Sequence, residues 1–187
     1  MGENELIQGQ DALIAGKFQE GKNLLKMAVN KGNVKALHIL AILHLTEGDP
    51  FINGVELSAK EGKRLLELGA TTPYNDPDCM IALGLYNAGG LPCPQGLFDS
   101  GKKHGWSLIN KGVTLAGEQI DYRNCYWIAM NYMRDADAKS NKENVAIAIK
   151  MLDKILSDEK YSNDLAQSFG EEALDMCKAL HKLAKSL

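Results

Sequence analysis

The residues best suited to chemistry include one glycine-rich segment that could hold a phosphate. From Gly96 to Lys103 the chain matches the phosphate-loop pattern Gly-x-x-x-x-Gly-Lys, with Gly101 and Lys102 as its last two members. Lys103 then stands where the Ser or Thr that holds magnesium is required. Pro94 precedes the segment, so no regular β-strand leads into it. The segment predicts a turn before a helix rather than a nucleotide site.

The histidines could transfer protons, and they are His38, His44, His104 and His181. General acid–base catalysis needs a histidine held by a carboxylate beside a nucleophile, and no local spacing here supplies that arrangement. No pair of His, Cys, Asp or Glu recurs as shared metal ligands would. We predict no catalytic residue, no metal and no cofactor, with His44 packed between helices and His104 solvated.

Four cysteines could form disulfides or bind zinc, and they are Cys79, Cys93, Cys125 and Cys177. They form no Cys-x-x-Cys motif and no Cys/His pair at zinc spacing. Free, mostly packed thiols are therefore expected, because unpaired cysteine behaves as a small hydrophobic residue. The sequence leaves open whether Cys93, in a predicted loop, is reactive.

Composition and charge exclude several classes of function. The 187 residues are 45% hydrophobic and 24% charged, which is enough apolar material to bury a core. Lys plus Arg total 21 against 24 Asp plus Glu, so the chain lacks the positive field that binds nucleic acid. No apolar run approaches the ~20 residues of a membrane span, and the acidic N-terminus does not fit a secretory signal. We expect a cytoplasmic protein.

The elements that must position any site are revealed by an internal repeat. Segments starting at Gly21, Gly62, Gly105 and Ala148 superpose without gaps, at intervals of about 42 residues. Each has a small residue first and an apolar pair three and four places later, on one helical face. This pattern predicts helices, called B, against which another backbone comes close.

A second set of helices, called A, alternates with the first and carries the small residues Gly9, Ala41, Gly84 and Ala129. Turn-rich segments separate A from B, and capping boxes are predicted at Ser58–Glu61 and Ser140–Glu143. We predict a single domain with repeats at about 4–32, 34–70, 78–117 and 122–157. Apolar residues at helical spacing predict one closing helix over about 164–186.

The first unit resembles a tetratricopeptide repeat, through Gly9, Gly16, Gly21, Leu25 and Ala28. The longer units 36–70, 78–113 and 124–155 resemble Sel1-like repeats, the variant with a longer internal loop. The resemblance implies an all-α fold, an α-solenoid of antiparallel helical hairpins that coils into a short right-handed superhelix. It covers roughly residues 5 to 157.

In arrays of this kind ligands lie on the concave face, which is formed by the A helices. With the small residues turned toward the B helices, the face away from them collects aromatic, Met and Arg side chains, the types in which binding energy concentrates. Its predicted members are Lys35, His38, Ile42, Asp78, Ile81, Leu85, Arg123, Tyr126, Trp127, Met130, Met133 and Arg134. Trp127 and Met130 could equally pack in the core.

The resemblance implies a non-catalytic adaptor that binds a protein or peptide, with an apolar anchor and carboxylates on the ligand. The alternative is an inhibitor or immunity-type regulator that forms a tight complex with one enzyme or toxin. A third possibility is self-association through an end of the stack. The partner's identity and the oligomeric state, monomer or weak dimer, are left open by the residues.

Overall fold

Helices account for every regular element in the computed structural model, which describes residues 1–92, 96–99, 101–135 and 142–186. They are α1 (Glu3–Ile14), α2 (Phe18–Asn30), α3 (Val34–Leu45), α4 (Ala59–Ala70), α5 (Pro77–Asn87), α6 (Lys102–Ala116), α7 (Tyr122–Arg134), α8 (Lys142–Ser157), α9 (Glu159–Phe169) and α10 (Glu171–Lys185). A 3-10 turn follows α6 at Gly117–Gln119. No strand occurs in these ranges, which confirms the predicted all-α class.

The chain forms two compact units. The first comprises Met1–Leu83 with Cys93–Asp99, and the second comprises Gly84–Pro92 with Ser100–Leu187. In the first unit α1 packs on α2, α2 on α3, and α3 on α4. In the second unit α7 packs on α8, and α9 and α10 pack on α8 and on each other. The A and B helices of the first two predicted repeats therefore pack as pairs, α1 on α2 and α3 on α4.

The predicted small residues face one another where paired helices cross. A Cβ added to Gly105 would lie 2.6 Å from the carbonyl oxygen of Gly84, and one added to Gly84 would lie 2.7 Å from that of Gly105. A Cβ on Gly62 would lie 2.8 Å from the carbonyl oxygen of Ala41. Real Cβ atoms do not approach so closely, so glycine is what allows these backbones to touch.

The predicted closing helix over 164–186 is wrong in one respect, because two helices occupy this region. Helix α9 begins after Asp158, whose carboxylate accepts from the backbone N–H groups of Lys160 and Tyr161. It ends at Phe169, since Gly170 has a φ of 86° and turns the chain before α10. A left-handed glycine stops a helix that the apolar spacing alone would continue.

The predicted capping box at the start of α4 is only half formed. Ser58 Oγ accepts from the backbone N–H of Glu61 at 3.4 Å, as expected of an N-cap. The backbone N–H of Ser58 donates instead to Nδ1 of His44, at 3.1 Å. Glu61 pairs with Arg64. The second predicted box, at Ser140–Glu143, begins outside the described residues.

His44 thus ties α3 to the start of α4, and it is 4% exposed. Because Nδ1 accepts a hydrogen bond, it carries no proton, and the neutral ring has its hydrogen on Nε2. Burial, and next the positive charge of Lys22, lower the pKa of His44 below its ordinary value. Protonation of the ring would break the bond to Ser58.

We expect acid to destabilise the fold through His44. A depressed pKa means that the unfolded chain binds the proton more tightly. The stabilisation is therefore complete above the ordinary histidine pKa of 6.5 and is lost as pH falls toward the lower folded value. Urea unfolding should give a lower midpoint at pH 5.5 than at pH 7.5, and His44→Leu should reduce this difference between the two midpoints. The matched control is His104→Gln, at an exposed site. If His104→Gln reduced the difference by as much, the assignment to His44 would be wrong.

Candidate binding surface on α7

Helix α7 carries the largest group of predicted binding residues. Asp121 caps it by accepting from the backbone N–H of Asn124 at 2.8 Å. Ile128 and Ala129 are both 0% exposed, and α7 packs on α8, so the face predicted to meet a B helix is buried. Arg123, Trp127 and Arg134 lie on another face of the helix, at spacings that keep them within about 40° of one another.

An aromatic cluster joins α7 to the end of α9. The rings of Tyr126 and Phe169 stack with their centroids 4.8 Å apart. Trp127 stands edge-on to Phe169 at 5.8 Å and to Tyr126 at 5.3 Å. Tyr126 is 8% exposed, Trp127 is partly exposed and Phe169 is 37% exposed. The Tyr126 ring is thus buried below the cluster, while the rings of Trp127 and Phe169 leave an aromatic edge at the surface.

Arginines stand on both sides of this aromatic edge along α7. The Arg123 guanidinium lies 5.5 Å from the centre of the Tyr122 ring, and the Tyr122 hydroxyl lies 2.8 Å from Ser168 Oγ near the end of α9. Arg134 is exposed at the other end of the helix. Eleven residues of helix separate the two arginines, or about 16 Å. We call Arg123, Trp127, Arg134 and Phe169 the α7 surface.

Several predicted binding residues belong to the core instead. Ile81 is 0% exposed, Leu85 1% and Met130 5%. A residue this buried offers a partner no area, so these three are corrected to packing residues, and Tyr126 supports the cluster from below. Apolar side chains beside the small residues are buried as well, because these helices are covered on more than one face.

The remaining predicted residues lie at least partly at the surface. Lys35 is exposed, and His38, Ile42, Asp78 and Met133 are half-buried. Lys35, His38 and Ile42 lie on α3, and Asp78 lies on α5 in the first unit. Met133 lies on α7 in the second. Within the second unit the structure gathers Arg123, Trp127 and Arg134 of α7 into one surface with Phe169.

Phe169 was missed as a binding candidate. Its place in an apolar series at helical spacing predicted a packed residue. Only the turn at Gly170, which ends α9 at this ring, leaves its outer edge free. A glycine directly after an aromatic residue was the available signal.

Among the described residues, the three cysteines are not activated as nucleophiles. Burial raises the pKa of the Cys125 thiol to about 12 and that of Cys177 to about 11. Cys79 is also buried and its pKa is raised. These three are the packed thiols that the sequence predicted, while Cys93 lies outside the described residues. Within the described ranges no cluster of three metal-ligating side chains occurs.

Comparison of the chain with protein-family models, curated proteins and solved structures found no match. The similarity to Sel1-like and tetratricopeptide repeats therefore stays a prediction from the residues quoted above. No described helix has both the length and the apolar character that crossing a bilayer requires.

Proposed function

We propose that this protein is a non-catalytic interaction module, an α-solenoid of helical hairpins that binds a partner protein or peptide in the cytoplasm through its α7 surface. The observation that carries the proposal is the edge-on pair of Trp127 and Phe169, partly exposed between two arginines. Tryptophan and arginine are the residues in which binding energy most often concentrates.

The physical argument rests on preorganisation. Tyr126 and Phe169 stack on each other and hold the Trp127 ring edge-on, so little side-chain freedom is left to lose when a ligand covers it. An apolar ligand side chain would gain contact with the aromatic edge, and carboxylates on either side would meet Arg123 and Arg134. The ligand that fits best is a segment with an apolar anchor between acidic residues.

The test combines capture from native cells with a matched pair of variants. Trp127→Ala with Arg134→Ala removes half of the α7 surface, and we expect at least a tenfold weaker Kd, by calorimetry, for a captured partner. The control is Phe51→Ala with Arg64→Ala, which removes an exposed aromatic ring and an exposed arginine from the first unit. Circular dichroism melting checks that both variants fold.

The affinity of the variant and the number of partners distinguish the possible roles of the α7 surface. Unchanged affinity in a destabilised α7 variant would show that Trp127 serves packing alone and would overturn the proposal. A single partner held in a long-lived one-to-one complex would favour the inhibitor or immunity-type alternative. Several partners bound through the same residues would favour an adaptor.

A further inference from the structure

A cleft lies within the second unit, beside α6 and the first turn of α8. It is a cleft of about 720 Å³ with lysine, amide and aromatic side chains on its walls. The lining extends along α6 from Lys102 to Leu115, which is about 20 Å of helix. A cleft of this length suits an extended chain better than a compact molecule, because a strand covers 20 Å with about six residues.

The charges of the cleft are only partly balanced. Asp135, whose side chain is 2% exposed, pairs with Lys102 at 3.2 Å and accepts from the Trp106 Nε1–H at 3.0 Å. Lys103 and Lys111 also line the cleft, and neither has an ion pair within the described part of the chain. Eight residues of α6, or about 12 Å of helix rise, separate Lys103 from Lys111.

Two buried amide oxygens lie in the same walls. Asn144 is 3% exposed, and its Oδ1 has no hydrogen-bond partner among the residues that the structure describes. Asn110 Oδ1 is likewise buried and unpartnered there. A buried acceptor without a donor costs free energy, about 1–3 kcal/mol in general. A ligand that brings N–H groups into the cleft would recover that loss.

We propose that this cleft binds an extended acidic peptide, with two carboxylates four residues apart on Lys103 and Lys111 and backbone N–H groups toward Asn110 and Asn144. Four residues of extended chain span about 13 Å, which is close to the helix rise of about 12 Å between the two lysines. Nucleic acid fits less well, because Asp135 and Glu143 line the same cleft and would repel a uniformly charged backbone.

The cleft shares no residue with the α7 surface, so peptide binding at the cleft and partner binding at the α7 surface are tested independently. The probe is a fluorescein-labelled octapeptide of serine and glycine with two glutamates four positions apart, and its binding to the full chain is followed by polarisation. We expect Lys103→Met with Lys111→Met to weaken binding at least tenfold, and added salt to weaken binding to the original chain. The matched control is Lys26→Met with Lys60→Met, two exposed lysines of the first unit. Trp127→Ala with Arg134→Ala should also leave binding unchanged.

A further variant tests the buried amide. Asn144→Ala should weaken peptide binding about fivefold while the urea midpoint does not fall, because the lost oxygen has no partner among the described residues. The proposal would be overturned if a peptide with glutamine in place of both glutamates bound with equal affinity. It would also be overturned if the control variant, Lys26→Met with Lys60→Met, weakened peptide binding as much as Lys103→Met with Lys111→Met. Tighter binding of a single-stranded oligonucleotide of the same length, or unchanged affinity in Asn144→Ala, would overturn it as well.

Discussion

Gly105→Ala is expected to destabilise the second unit by about 2–3 kcal/mol, the range of an overpacked core. The added methyl would lie 2.6 Å from the Gly84 carbonyl oxygen and 2.7 Å from the backbone nitrogen of Ala88. Backbone atoms on both sides cannot move aside as a side-chain tip can. Helix propensity alone predicts the opposite sign, since alanine in a helix interior is better than glycine by about 0.5–1 kcal/mol.

Urea unfolding followed by circular dichroism measures this difference. Ser107→Ala is the matched control, because Ser107 is exposed on the same helix and its replacement should change the free energy of unfolding by less than about 0.5 kcal/mol. A Gly105→Ala protein at least as stable as the original would show that α5 and α6 do not meet at these glycines.

Asp135→Ala should have a comparable effect, a loss of about 2–3 kcal/mol. The carboxylate is buried and accepts from the indole N–H of Trp106, which is itself 5% exposed. Without it, a buried donor is left without its partner and a cavity opens beside the ring. Asp135→Asn keeps an acceptor and should cost about half as much.

The double variant Trp106→Phe with Asp135→Leu tests, in the same urea measurement, whether the unpaired indole N–H causes this loss. Removing both partners leaves no buried indole N–H without an acceptor, so this double variant should be more stable than Asp135→Ala. Lys102→Ala should cost less than about 1 kcal/mol, since the Lys102 side chain is 55% exposed. An equal loss in Lys102→Ala and Asp135→Ala would show that the ion pair, not the indole bond, carries the stability.

Much of the helical architecture could be predicted because its signals are local and recur. Gly84 and Gly105 carry no side chain, and a pair of small residues at matching places in two helices has few explanations other than close approach. The helix start at Ser58 could be predicted for the same reason, since an N-cap acts within three residues. Half of the capping box was missed because His44, fourteen positions earlier, competes for the Ser58 N–H.

The candidate sites were less predictable, because a helix face does not show what covers it. Ile81 and Trp127 belong to the same predicted surface, yet one is fully buried and the other partly exposed. The cleft beside α6 could not be predicted from the sequence, because Lys103 and Asn144 belong to different helices and α7 lies between them along the chain. From the sequence, Asp135 could be assigned only to a turn, and its hydrogen bond from Trp106 could not be predicted.

The sequence by itself determined the all-α class, the start of α4 at Ser58 and several small residues at which paired helices cross, because periodicity, caps and missing side chains act over a few residues. Tertiary structure alone decided which apolar residues are core, where Phe169 stays partly exposed, and which polar groups from distant helices share a cleft. Burial and charge pairing depend on neighbours far along the chain, and one linear pattern is compatible with many such neighbours.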